Sequence, residues 1–312
     1  MKIVILGGTG FVGSHLVARL STLGHSVDVL SRNADAKPQL AVLPRVRVRA
    51  ANPYDSASLS AALQGADAVI NLVGILNEAG FGGAGFKRAH VELTRCVIDA
   101  CKAAGVRRLL QMSALNAGRG ESHYLKTRGE AEALVKASGL DWTIYQPSVI
   151  FGPGDGLFSR FKFLLSFSPV LPLARAGAKF APVYVGDVVA AMVQTLDDSS
   201  AHQQSYELYG PEVMTLAEIV RYTARGMHLK RLVIPLPDVL GRLQALAMDF
   251  VPGKPFSTDN FLSLKTDSVG GIDGLYRLKI EKTPVAAVIP QILFPLGKQS
   301  RLDRYRGASG RP

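Results

Sequence analysis

Residues 2–13 read Lys-Ile-Val-Ile-Leu-Gly-Gly-Thr-Gly-Phe-Val-Gly, and this stretch decides the fold. A short run of strand character enters glycines at 7, 10 and 13. From Phe11 to Leu23 the apolar residues Val12, Leu16, Val17, Leu20 and Leu23 then recur with a period of about 3.6 until Gly24 ends them. Strand, glycine turn and helix in that order form a phosphate loop. Gly7 allows the tight turn, Gly10 lets the backbone approach a pyrophosphate, and Gly13 lets helix and strand pack closely. Thr9, Phe11 and Val12 complete the loop, and the helix start offers free N–H groups and partial positive charge to the phosphates.

Outward from this loop the rhythm repeats. Strand-like runs stand at Ser26–Leu30, Val46–Arg49, Ala68–Leu72, Arg108–Met112 and Trp142–Gln146, each followed by a segment of helical character such as Glu92–Ala104, which stops at Gly105. Nearly continuous apolar strands alternating with helices mean a parallel sheet covered on both faces. The expected fold is therefore α/β, a Rossmann doubly wound parallel sheet with a small C-terminal substrate-side lobe. Residues 1–150 form the NADP(H)-binding core and residues 151–297 a smaller lobe interleaved with it. That lobe has helices at Val188–Leu196, Leu216–Met227 and Val239–Met248, and residues 298–312 form a basic, flexible tail.

The second strand chooses between cofactors. NAD-binding folds usually carry an acid at its end for the ribose hydroxyl. Here the chain reads Val29-Leu30-Ser31-Arg32, with Asp28 inside the strand, so a guanidinium is available for a 2′-phosphate and NADP(H) is favoured over NAD(H).

Composition narrows the classes. The 312 residues are 47% hydrophobic and 20% charged, enough to bury a large core and to exclude wholesale disorder. Thirty-six Lys and Arg against 25 Asp and Glu give +11. No recognition helix, zinc finger or aromatic RNA-binding signature accompanies that surplus, so nucleic acid is not the expected ligand. Residues 1–150 hold 17 basic and 11 acidic groups and residues 298–312 five and one, so the excess sits in the nucleotide half and the tail. The longest apolar runs, such as 283–297, are proline-broken and too short to span a bilayer, and the N-terminal run is a strand rather than a signal. Cys96 and Cys101 suit neither a zinc knuckle nor a local disulfide, no metal site is expected, and a reducing cytoplasm fits. In 237–251 the residues Val239, Leu240, Leu243, Leu246, Ala247 and Phe250 stand at helical spacing. Such a stripe ordinarily faces a core. The alternative is that it, the apolar segment near 283–297 and the basic tail meet a membrane surface, peripheral to the inner membrane, or a hydrophobic partner.

Several motifs in this order carry a family resemblance: GGTGFVGSH at 7–15, NLVGIL at 71–76, FKRAHVE at 86–92, MSALNA at 112–117 and YLKTRGEAE at 124–132. They continue with QPSVIFGPGD at 146–155, PVYVGDVVAA at 182–191 and YELYGPEVMTLAEI at 206–219. The sequence resembles the atypical, extended-type short-chain dehydrogenase/reductases, NAD-dependent epimerase/dehydratase-like proteins. Within them it is most similar to the group holding the accessory subunit of mitochondrial respiratory complex I and its bacterial relatives. The resemblance implies that Asn52 faces the adenine, that Leu72, Val73 and Gly74 line the cofactor, and that Pro147 and Ser148 lie near the nicotinamide. It also implies a tyrosine acid/base, a lysine four residues on and a serine orienting the substrate oxygen. Tyr124 and Ser113 match. Arg128 stands where the lysine belongs; it keeps its charge at any working pH and cannot relay a proton as an amine does. Lone histidines such as His90 and His123 read as structural or exposed. Two functions stay open: an NADP(H)-dependent oxidoreductase or epimerase-like enzyme acting on a small apolar carbonyl or quinone-like substrate, and a non-catalytic NADP(H)-binding structural, assembly or redox-sensing protein associated with a membrane respiratory complex.

Overall fold

Seven parallel strands, β1 (Lys2–Leu6), β2 (Ser26–Ser31), β3 (Val46–Ala50), β4 (Ala68–Asn71), β5 (Arg108–Met112), β6 (Asp141–Pro147) and β7 (Gln204–Leu208), form one sheet in the order β3-β2-β1-β4-β5-β6-β7. The computed structural model describes residues 1–293 except 34 and 36; the tail 298–312 lies outside the described residues. Helices α1 (Phe11–Thr22), α2 (Ser56–Leu63), α3 (Leu93–Ala104) and α4 (His123–Lys136) follow β1, β3, β4 and β5. Beyond β6 come α5 (Phe158–Phe167), α6 (Val185–Gln194), α7 (Leu216–Gly226), α8 (Asp238–Met248), α9 (Thr258–Ser263) and α10 (Val285–Leu293). The order is doubly wound, and it reverses between β1 and β4, the switch point outside whose strand ends this architecture binds its ligands.

Burial explains the arrangement. In β1, residues 3–6 are buried and paired on both sides, Ile3 with Val27 and with Ala68, so this strand has no polar face to show. Leu16, Val17 and Leu20 of α1 and Val188 and Met192 of α6 cover one sheet face, while Leu59, Leu63, Val97, Cys101 and Val135 cover the other. Each fully buried leucine here contributes roughly 1.5–3 kcal/mol. Burial pushes the Cys101 thiol up to about 12, which leaves it an inert core residue.

At the N-terminal end of β5, in the interior of the sheet, Arg108 is buried and spends its whole guanidinium on structure. Nε donates to Leu196 O at 3.0 Å, Nη1 to Asp141 O at 2.8 Å, and Nη2 to Thr143 Oγ1 at 2.9 Å and to Thr195 O. It ties β5 and β6 to the end of α6. Arg108→Met should cost about 3 kcal/mol, because it strands several buried acceptors; a urea denaturation midpoint unchanged from wild type would overturn that reading.

The lobe departs from expectation. The segment 237–251 does form a helix, α8, but its apolar stripe faces outward: Val239 is 80% exposed, Leu243 60% and Phe250 74%, while Gly241, Ala245 and Asp249 are buried. The core-facing reading of that stripe is therefore corrected. Its seat, against Ala174 and Phe261, admits only small side chains. Conversely, the proline-broken segment does not reach outward in its described part. Val285, Val288, Ile289, Ile292 and Leu293 of α10 pack with Phe151, Phe158 and Ile219 and close the lobe's own core. Smaller differences lie at element ends. β4 stops at Asn71, α6 begins at Val185, and α3 follows a π-helical turn over Lys87–Glu92.

Candidate functional site

Two glycines after β1 have no substitute. Gly7 sits at φ +79°, in the left-handed region, and a Cβ there would lie 3.0 Å from Leu72 C, so the loop after β1 lies directly against the loop after β4. A Cβ on Gly13 would run into Gly7 O and stand 2.6 Å from Gly8 Cα. α1 starts at Gly10 with no capping side chain and no acid in its first turn, and Gly10 is exposed. Its amides are therefore left to an external anion, with Thr9, Phe11 and Val12 half-buried around them. This cradle, which side chains would fill, fits the pyrophosphate of a dinucleotide.

At the end of β2, the Ser31 hydroxyl donates to Asn33 O at 2.8 Å and accepts from Asn33 N, so it shapes the turn. Arg32 is exposed and has no ion pair among the described residues. Asp28 is buried and paired with Arg49 at 3.6 Å, which removes it as a ribose acid. Asn52 Oδ1 accepts from Tyr54 N at 3.1 Å, an Asx turn that leaves the amide nitrogen outward on an exposed residue.

Beyond the ends of β4 and β5, Tyr124, Arg128 and Gly74 come together. Arg128 is buried; Nη1 donates to Met112 O at 3.0 Å and Val73 O at 3.4 Å, bridging the ends of β5 and β4. A Cβ on Gly74 would collide with Nη2, so the glycine makes room for the guanidinium. Arg128 Cζ lies 5.5 Å from the centroid of the Tyr124 ring, while Arg128 Nε and Ser113 Oγ are buried polar atoms with no hydrogen-bond partner among the described residues. Leu72 and Val73 are half-buried beside them. Pro147 O accepts from Leu115 N, and Ser148 Oγ donates to Ser268 O at 2.7 Å, so the Ser148 hydroxyl is committed to a link between loop segments.

Three supports were not read from the sequence as parts of this site. His90 packs edge-on to Tyr124 at 5.6 Å between ring centroids, beside Phe86. Its Nε2 accepts from Ile75 N at 3.3 Å, so the proton sits on Nδ1 and goes to Thr127 Oγ1, which donates in turn to His123 O. Burial, with the Arg128 charge second, lowers its pKa to about 2, and the imidazole stays neutral. Asp259, arriving from α9 135 residues later, accepts from His123 N at 2.6 Å and Tyr124 N at 3.2 Å and caps the helix bearing the tyrosine. Burial raises its pKa, the two N–H bonds opposing. Asn260 Nδ2 donates to Leu76 O, fixing the loop after Gly74. The pattern Ser257-Thr-Asp-Asn260 was a legible helix start, and Ser257 and Asn260 do form a capping box, but nothing in the sequence shows which distant helix Asp259 caps. Among the described residues no cluster of His, Cys, Asp and Glu could hold a metal ion.

Residues 7–156 match a family profile described as NAD(P)H-binding. The chain is 29% identical over 282 residues, 85% of its length and 70% of the relative's, to subunit 9 of the mitochondrial NADH dehydrogenase (ubiquinone) 1 alpha subcomplex of Arabidopsis thaliana. It is 29% identical over 248 residues, 76% of its length and 74% of the relative's, to a ceramide reductase of Caulobacter vibrioides. Among solved structures it is similar to the dTDP-glucose 4,6-dehydratase of Streptomyces venezuelae with NAD bound, at a TM-score of 0.76 and 19% identity, covering 99% of this chain and 98% of that one. At that identity the likeness concerns the fold.

Proposed function

We propose that this chain, whose residues 7–156 match an NAD(P)H-binding profile and whose fold is short-chain dehydrogenase/reductase-like, is an NADP(H)-dependent oxidoreductase acting on a small apolar carbonyl or quinone-like compound. The observation that carries the reading is the meeting of Tyr124 and Arg128 beside Gly74, at the strand ends where this architecture binds ligands. The 7–13 loop and Arg32 would hold the phosphates, and Leu72, Val73, Gly74, Pro147 and the Ser148 backbone would line the nicotinamide half; the cofactor supplies the hydride. Tyr124 gives its hydroxyl proton to the substrate oxygen as that oxygen becomes negative, so a carbonyl gains hydride and proton and leaves as an alcohol. Arg128 provides a fixed positive charge beside the ring that has lost its proton, and Ser113 offers the unused hydroxyl. The test is to purify the protein, identify the nucleotide it carries, and follow oxidation of bound NADPH by quinones and carbonyl compounds with the alcohol or quinol product measured. No turnover across the panel would refute the enzyme.

A second reading, a non-catalytic NADP(H)-binding protein of a respiratory complex, is favoured by the two carbonyls that immobilise Arg128, and by the subcomplex named for the Arabidopsis relative. Arg32 serves both readings. Arg32→Ala should weaken NADPH by about tenfold or more and NADH hardly at all, because only the 2′-phosphate loses a charge-assisted partner. Equal loss for the two nucleotides in a fluorescence titration would refute the assignment of NADP(H) over NAD(H).

A further inference from the structure

We propose that α8 is an interfacial helix by which the lobe lies against an anionic lipid surface. The helix is attached by its smallest side, Gly241 and Ala245, with Asp249 turned in to accept from Thr258 Oγ1 at 2.6 Å. At about 100° per residue, Val239, Leu243, Leu246 and Phe250 fall on the side opposite that seat. All four are more than half exposed. A helix with leucine and phenylalanine outward and glycine and alanine inward inverts the pattern of an ordinary surface helix. The strip also continues beyond the helix: Phe81, 62% exposed in the loop after β4, meets Phe250 at 5.6 Å between ring centroids, with Lys254 Nζ 4.1 Å from its own centroid.

Charge selects the occupant. The stretches 158–175 and 228–256, which supply α5, α8 and the parallel ribbon Val170–Ala174 with Leu232–Leu236 beneath α8, hold seven basic residues and two acidic ones. Asp249 is buried and bonded, and Asp238 is paired with Arg175 at 2.9 Å. Arg160, Lys162, Lys230, Arg231, Arg242 and Lys254 are left without an acid in either stretch to answer them. An outward apolar strip on stretches with that local basic surplus matches a bilayer carrying anionic headgroups, whereas a second copy would bring the same basic stretches against it. Among the described residues no helix is long and apolar enough to cross a membrane, so the contact is in the plane of the surface.

Flotation of the full chain with vesicles of phosphatidylcholine alone, or with about 30% phosphatidylserine, tests this. The protein should float with the anionic vesicles, weakly with the neutral ones, and less at high salt. Leu243→Glu/Phe250→Glu should lower the bound fraction about tenfold at an unchanged thermal midpoint, since both residues lie outside the core. Independently of that variant's folding, Phe250→Trp should be quenched by brominated lipid in the vesicles while the buried Trp142 of the wild type is not. Failure to float with anionic vesicles, binding retained by the double variant with Phe250→Trp unquenched, or a dimer in sedimentation that the double variant abolishes would each overturn the proposal.

Discussion

Replacing Tyr124 with phenylalanine should slow NADPH-dependent reduction by about 10²–10⁴-fold and leave NADPH affinity within a factor of about two. The substitution is sharp because the ring does not depend on its hydroxyl for its place. Phe86 and His90 hold it edge-on and Arg128 lies over its face, while Asp259 holds the backbone N–H. Only the proton donor is lost, so the defect belongs in the rate and not in binding, and single-turnover oxidation of prebound NADPH separates the two. Slow oxidation that proceeds equally in both proteins would show that electrons leave the nicotinamide without Tyr124, and would shift the weight to the non-catalytic reading.

Gly13→Ala should abolish measurable NADPH binding, a loss of more than about 100-fold, and destabilise the fold by about 1–3 kcal/mol. The new methyl meets backbone on every near side: Gly7 O, Gly8 Cα at 2.6 Å and Gly8 C at 2.7 Å. None of these can yield cheaply. Gly8 is already so close to β2 that a Cβ there would stand 2.8 Å from Val29 Cγ1, and Gly7 is held against Leu72. Relief requires α1 to slide off the sheet, which moves the helix start away from the phosphates. Gly10→Ala is the contrasting control, since its Cβ would approach only Gly7 O, at 3.1 Å, and otherwise meets open space. That variant should keep its thermal midpoint while losing affinity. Nucleotide titrations and thermal melts that failed to separate the two glycines would refute this account of the loop.

Most of the sheet was legible because its determinants are local. Apolar runs of strand length, the 3.6-residue pattern of α1 and the glycine stops are written in consecutive residues, and β1 to β6 lie where those runs stand. Tyr124 and Arg128 could be paired because four residues make one helical turn. What escaped depends on partners far away in the chain. The caps that Asp259 gives to His123 and Tyr124, and the bond of Asn260 to Leu76, cross more than a hundred residues and leave no pattern in either segment. The orientation of α8 escaped for another reason. Periodicity shows that a helix has an apolar side but not which way that side points; here the two small residues Gly241 and Ala245, rather than the large ones, mark the contact.

The last strand of the central sheet carries a consequence of its own. β7 is contributed by residues beyond Ile150, and it pairs with β6 from Thr143–Gln204 to Pro147–Leu208. Without it, β6 would present a free row of amides and carbonyls flanked by Trp142, Ile144 and Tyr145, a template for pairing with other chains. The nucleotide-binding half thus has no finished border until β7 has been synthesised. On the ribosome it must wait for about sixty further residues before its sheet is closed, and a gene cut at the apparent boundary would yield a sticky fragment in place of a portable cofactor module.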